Sequence, residues 1–262
     1  MNTPDSLNHH PITLALDTSA KSTSLALTRG DEALALLSLA GDERRSERLW
    51  LDLDGLLRGA GMTIEAVELF GVCVGPGSFT GLRVGVAAAK GLAAAARRPL
   101  AGVTSLEAAA AQVGRASAVC AMVGAYKGEV YWQLFAVEDE GLPVALSEPL
   151  VSTSSEAVNR IVDLPELVFA GDAVESSVEA IREAAGSRFI EGAGESGRGW
   201  RIQSPARHSA EAVARVAVLK WQRGRLTSAE ALQAVYVRPA EAEVKRALGL
   251  LGSKIERSRK AE

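Results

Sequence analysis

Residues 75–83 read Gly75-Pro76-Gly77-Ser78-Phe79-Thr80-Gly81-Leu82-Arg83. They follow the apolar run 70–74 and open an alanine-rich segment, the pattern of a strand, a tight loop and a helix. The glycines let a second backbone or an anion come close, and Pro76 stiffens the turn. Ser78 or Thr80 can cap the first free amides of the helix, where the dipole also favours negative charge. No familiar glycine motif fits. A Walker loop has four residues between its glycines and then Lys-Ser/Thr; here five separate Gly75 from Gly81, and Leu82-Arg83 follows. A dinucleotide loop needs glycine where Thr80 stands, and a nucleophile elbow at Ser78 needs glycine where Pro76 stands.

Upstream, the apolar-rich runs 12–17, 23–28 and 33–39 are joined by a polar turn at 18–22 and by Arg29-Gly30-Asp31, which predicts three antiparallel strands. Residues 43–58 carry Leu49, Trp50, Leu53, Leu56 and Leu57 at helical spacing and stop at Gly59 and Gly61. Strand 69–74, the glycine loop, helix 82–97, strand 100–104 and helix 105–113 complete a half-molecule. Three strands, helix, strand, helix, strand, helix is the repeating half of actin-like folds. Strands at 118–123, 129–137 and 144–151, helix 154–162, strand 167–170, helix 173–185 and a short strand at 188–190 repeat the plan without obvious identity.

The expected fold is therefore α/β, a two-lobed actin-like ATPase (ASKHA, ribonuclease-H-like) architecture with mixed sheets flanked by helices. Its expected parts are a flexible N-terminus over 1–11, an N-terminal lobe over 12–106, a C-terminal lobe over 107–240 and a charged tail over 241–262. Helix 209–221 is expected near the lobe junction, and 192–199 reads as a glycine-rich loop. Trp200-Arg201 is a candidate contact site, although a tryptophan covering its own lobe is the more ordinary state.

With 47% hydrophobic residues the chain can bury a sizeable core, and a net charge of −3 offers nucleic acid no global attraction. Cys73 and Cys120 lie in apolar runs without CxxC spacing, which predicts buried thiols in a reducing compartment and hence the cytoplasm. Neither an export signal nor a membrane-spanning run is read. Asp17, Thr18 and Ser19 form a candidate vestigial nucleotide loop, with a carboxylate bonding its own turn as the alternative for Asp17. The equivalent turn of the second half, Gly124-Ala125-Tyr126-Lys127-Gly128, carries no carboxylate, which weakens a two-sided nucleotide clamp. Gly171-Asp172 is a lone glycine turn, a weak sign of adenosine binding. His9, His10 and His208 supply no metal spacing, and nothing brings Ser78 and His208 into a triad, so neither catalytic nor metal residues are assigned.

Taken whole, residues 75–85 closely resemble the signature of the TsaB (YeaZ) family. The match extends to Leu14-Ala15-Leu16-Asp17-Thr18-Ser19 with Ser24-Leu25-Ala26-Leu27, to Lys127-Gly128-Glu129-Val130-Tyr131-Trp132, and to Val235-Tyr236-Val237-Arg238-Pro239, in family order. The resemblance implies a non-catalytic dimerisation and activating subunit. It would bind TsaD and be required for threonylcarbamoylation of adenosine beside the anticodon of tRNAs reading ANN codons. TsaE and tRNA are then reached through the assembled complex, TsaC supplies threonylcarbamoyl-adenylate, and the isolated chain can homodimerise. It implies no cofactor of the chain's own, with ATP or ADP only at the complex interface. The competing class is an actin-like ATPase or small-molecule kinase, favoured by Asp17, and a peptidase comes third.

The resemblance also implies an interface of paired helices. It draws on Leu49, Trp50 and Leu53 of the first helix and on Leu82, Gly85, Ala88, Ala89 and Leu92 of the second, with the loop residues Gly75, Pro76, Gly77, Ser78, Thr80 and Gly81 as support. Pattern alone favours packing of the second helix's residues inside their own lobe. The chain departs from the family at Gly124 and Tyr126, where many relatives carry Asp-Ala-Arg, and at Arg45 and Leu51, where relatives commonly have histidine and proline.

Overall fold

The computed structural model describes residues 10–20, 22–39, 45–191, 198–204 and 209–238. The first half runs β1 (Ile12–Asp17), β2 (Thr23–Arg29), β3 (Glu32–Leu39), α1 (Arg45–Gly59), β4 (Leu69–Gly75), α2 (Phe79–Ala96), β5 (Leu100–Thr104) and α3 (Ser105–Ala110). The second runs β6 (Ala116–Gly124), β7 (Val130–Val137), β8 (Pro143–Ala145), β9 (Leu150–Ser152), α4 (Ser154–Asn159), β10 (Leu167–Ala170), α5 (Val174–Ala185), β11 (Trp200–Ile202) and α6 (Ser209–Gln222).

The first sheet has the order β3-β2-β1-β4-β5, an antiparallel meander continued by two parallel strands. Its central strands are buried on both faces, and alternate residues serve opposite sides, as the pleat requires. Leu14, Leu16, Phe70, Val72 and Val74 join α1 and α2 in one core, while Ala15, Leu69 and Cys73 meet α6 in another. The second sheet repeats the arrangement in the order β11-β10-β6-β7-β8, with β9 also on β7. Residues of α4 and α5 cover one face of it. Leu106, Ala109 and Ala110 of α3 cover the other. This is the two-lobed actin-like fold that the order of elements implied.

Several local readings change. Helix α6 lies on the first sheet, although it follows the second in sequence; its Ala217 and Val213 fill the space that Gly71 leaves open. The run 144–151 splits into β8 and β9. At 188–190 there is only a single bridge, Phe189 to Trp200, and the edge strand is β11. Trp200 is fully buried, with its ring 5.3 Å from that of Phe169 and its indole N–H donated to Leu164 O at 2.8 Å. It is a core residue of its own lobe and not a contact site. Helix α2 starts at Phe79, earlier than the periodicity placed it, because Ser78 caps it. The expectations for residues 1–9, for the loop 192–197, for His208 and for the tail 241–262 lie outside the described residues.

Candidate functional site

The glycine loop is shaped by a second backbone. Ser78 Oγ accepts the Gly81 amide at 3.3 Å, the Ser78 amide donates to Ser19 O at 2.6 Å, and Thr18 Oγ1 donates to Gly81 O at 2.7 Å. A Cβ on Gly77 would stand 2.5 Å from Ser19 O, and one on Gly81 or Gly85 would overlap Thr18. The group that approaches these glycines is the β1–β2 turn itself, so the loop holds no opening for a phosphate at this point. Pro76 O accepts the Ser105 hydroxyl at 2.7 Å, which ties the loop to α3, while Thr80 is exposed and makes no cap.

Between the lobes lies a cleft of about 150 Å³, lined by Asp17, Ser19, Gly77, Gly124, Gly171 and Asp172 among others. Asp17 Oδ1 accepts the Ser19 amide at 2.9 Å and the Ser19 hydroxyl at 2.6 Å, so this carboxylate bonds its own turn. Gly124 leaves its hairpin without an acid, but Asp172, which follows β10, reaches the same place: its Oδ1 accepts the Gly124 amide at 2.9 Å. Asp172 as a residue is exposed, but at the cleft wall its carboxyl loses part of its water, which pushes it above its ordinary range, and the charge of Asp17 adds to the effect. The sequence marked Asp172 only as part of a lone glycine turn, a weak sign of adenosine binding, and not as a neighbour of Gly124. The available signal was topological: β10 is the parallel neighbour of β6, so the ends of the two strands must adjoin. Among the described residues, no group of three or more His, Cys, Asp or Glu is placed to hold a metal ion.

The helix residues expected at a partner interface divide differently. Leu49 and Leu53 of α1 and Leu82, Gly85, Ala88 and Ala89 of α2 are buried within their own lobe, and Leu92 is half-buried. The apolar stripe of each helix is spent on the first sheet, because that is the nearest apolar surface. Outward stand Trp50, 53% exposed, and Leu51, 72% exposed, on α1, and Arg83, Ala87, Gly91 and Ala94 on α2. Of the predicted interface residues, Trp50 alone is well exposed.

The segment after α6 returns across the glycine loop. The Val235 amide donates to Val74 O at 2.7 Å, Lys90 Nζ donates to Leu232 O at 3.0 Å, and Leu232 occupies the space beside Gly102. Tyr236 packs on Phe79 with ring centroids 5.1 Å apart. Arg238 pairs with Glu129 at 2.7 Å, and this hydrogen-bonded partner holds the Glu129 carboxyl below its usual range.

A family model described as "TsaD: tRNA N6-adenosine threonylcarbamoyltransferase" matches residues 42–185, more than half of the chain. The chain is 33% identical over 132 residues to the tRNA threonylcarbamoyladenosine biosynthesis protein TsaB of Escherichia coli, covering 49% of this chain and 57% of that one. It is 36% identical over 122 residues to TsaB of Haemophilus influenzae, covering 45% and 51%. The structure of YeaZ from Pseudomonas aeruginosa superposes with a TM-score of 0.67 at 26% identity, over 86% of this chain and 99% of that one. The chain belongs to the TsaB (YeaZ) family. Its matches span little more than half the length of these two TsaB proteins. In this TsaB-family chain the four motif segments, far apart in sequence, meet in one run of contacts. Ser19 and Thr18 hold the glycine loop, Val235 bonds β4 beside it, and Arg238 joins Glu129 of the second lobe. Among the described residues, no helix is long and apolar enough to cross a membrane.

Proposed function

We propose that this chain is a non-catalytic partner subunit in tRNA threonylcarbamoyladenosine biosynthesis, binding TsaD through the outer faces of α1 and α2. The observation that carries the reading is the pair of exposed apolar side chains, Trp50 and Leu51, on a helix that shares one sheet face with α2. The outward face of α2 is flat, with Ala87 and Gly91 one turn apart, and lets a partner helix approach closely. A monomer leaves such a surface open to water at a cost that a partner removes. The cleft supports a non-catalytic role, since small-molecule sites ordinarily enclose about 300–1,000 Å³ and this one encloses about 150 Å³. In this reading TsaE and tRNA act on the assembled pair, TsaC supplies the activated threonylcarbamoyl group, and any ATP or ADP sits at the interface with TsaD.

The second reading, an actin-like ATPase or small-molecule kinase, is favoured by Asp17 and Asp172 lining one cleft. It requires the lobes to open before a nucleotide can enter.

The deciding experiment mixes the chain with TsaD of the same organism and measures the mass and affinity of the complex. A heterodimer that is weakened at least tenfold by Trp50→Glu with Leu51→Glu, in a chain that stays folded, is the expected result. No complex at all rejects the partner reading. An unaffected complex moves the interface elsewhere.

A further inference from the structure

The second lobe meets the first at opposite ends of β7. Val137 of that strand pairs with Ala116 and Val130 with Gly124, so its ends lie eight residues, about 25 Å, apart. Beyond the Val137 end, Leu142 is buried in the core that α6 forms with the first sheet, and Glu140 pairs with Arg223 just after α6. Before the Val130 end, Glu129 meets Arg238 in a two-pronged pair, Nη1 to Oε2 at 2.7 Å and Nη2 to Oε1 at 2.8 Å. The two ends are held differently. Leu142 is held by burial, whereas the Arg238 and Glu129 side chains are 44% and 27% exposed, and a pair so placed contributes little and is screened by salt. Arg238 itself ends a segment that the first lobe grips firmly: Val235 bonds Val74, Leu232 fills the space beside Gly102, and a Cβ on Gly75 would stand 2.7 Å from Val235 O. Pro76 and Gly77, next along, line one wall of the cleft, and Gly124 lines the other. The ion pair therefore ties wall to wall.

We propose that residues 232–238 form a strap across the cleft, with Arg238–Glu129 as its releasable clasp and Leu142 as the pivot about which the second lobe turns when the clasp parts. Release draws Gly124 and Asp172 away from Asp17 and Ser19 and opens the cleft. Neither lobe has to unfold, because the two sheets are separate and no strand ladder joins them among the described residues. The strap stays on the first lobe, since its apolar anchor and backbone bonds do not involve Glu129. β7 acts as the lever: a small turn at the buried end becomes a larger displacement at the clasp. The clasp is separate from Trp50 and Leu51, and this inference does not rest on the partner reading.

The test is the distance between two spin labels on the full chain, measured by pulsed electron paramagnetic resonance. The labels go on Thr80→Cys in the first lobe and Tyr126→Cys in the second, both exposed positions, while the native Cys73 and Cys120 are buried and take none. At about 10 mM salt, where charges act over about 30 Å, the labelled chain should show one main distance. Arg238→Gln and Glu129→Gln should each add a longer one, raising the open fraction about 2- to 5-fold, the range that a partly exposed pair supports. At about 1 M salt, where charges act over about 3 Å, the labelled chain should open likewise and the two variants should change little further. Exchanging the charges, Arg238→Glu with Glu129→Arg, should bring the open fraction back towards that of the native pair. A distribution unchanged in both variants and at high salt overturns the proposal. So does a salt response of full size in the variants, which would place the responsible charges elsewhere. The salt series needs neither clasp variant, so a variant that folds poorly leaves the decision intact.

Discussion

The hydroxyl of Thr18 donates a 2.7 Å hydrogen bond to the carbonyl of Gly81, and the vacant Cβ position of Gly85, one turn on, points at the same hydroxyl. The start of α2 is therefore locked to the β1–β2 turn by a glycine face that sequence pattern alone also allowed to be a partner surface. Gly85→Ala should cost about 1–3 kcal/mol through overpacking. In a Thr18→Ala background the nearest remaining atom of that side chain is Cβ at 3.4 Å. There the same change should be neutral or stabilising by up to about 1 kcal/mol, alanine being the better helix former. Urea unfolding of the four chains measures the coupling, and strictly additive effects would reject the contact.

Leu51 and Leu53 lie two residues apart on α1 and should behave oppositely. Leu53, buried against the first sheet, should lose about 2–5 kcal/mol of stability as Leu53→Ala. Leu51→Glu, on the outer face, should stay within about 0.5 kcal/mol of the parent. Equal losses in urea unfolding would contradict the assignment of the two faces.

Asp172 should make stability depend on pH. Its folded carboxyl titrates above the ordinary value of 3.8, so the folded chain holds this proton more tightly than the unfolded chain. Its contribution to stability therefore falls as pH rises from that ordinary value through the raised one, and the penalty persists at neutral pH. Asp172→Asn keeps an oxygen for the Gly124 amide without the charge. The variant should be the more stable chain at pH 7, with the advantage shrinking as pH is lowered towards 3.8. An advantage that grows on acidification would contradict the raised carboxyl.

The returning segment should be held by its apolar anchor more than by its ion pair. Leu232 is buried beside Gly102, and Leu232→Ala should cost about 2–5 kcal/mol. Arg238→Gln, breaking a pair with both partners partly in water, should cost less than about 1 kcal/mol. Thermal unfolding of the two variants, compared directly, checks the order.

The isolated chain should hydrolyse ATP with magnesium far more slowly than about 1 per second, an ordinary enzymatic rate. Faster turnover that disappears in Asp17→Asn would instead establish the ATPase reading and require the cleft to open.

The order of strands and helices, the capped turn at Ser78 and the buried character of β1 and β4 were legible in the chain by itself. Periodicity, caps and turn residues are local properties, and connection rules leave few ways to assemble three strands, helix, strand, helix, strand, helix. The motif segments likewise pointed to the family before any of their contacts were known.

Other features depended on distant parts of the chain. A helical stripe such as Leu49 with Leu53 shows that a surface will be buried but not whether the sheet below or a partner above will bury it. The glycines of the loop announced a close approach, and only the fold identified the visitor as the backbone and hydroxyl of Thr18 and Ser19. Asp172 reaches Gly124 because β10 lies beside β6, across 48 residues of sequence. Helix α6 crosses back to the first sheet because Gly71 leaves room there for Val213 and Ala217. In each case the deciding quantity was which surfaces lie face to face, and that is set by packing the whole chain at once.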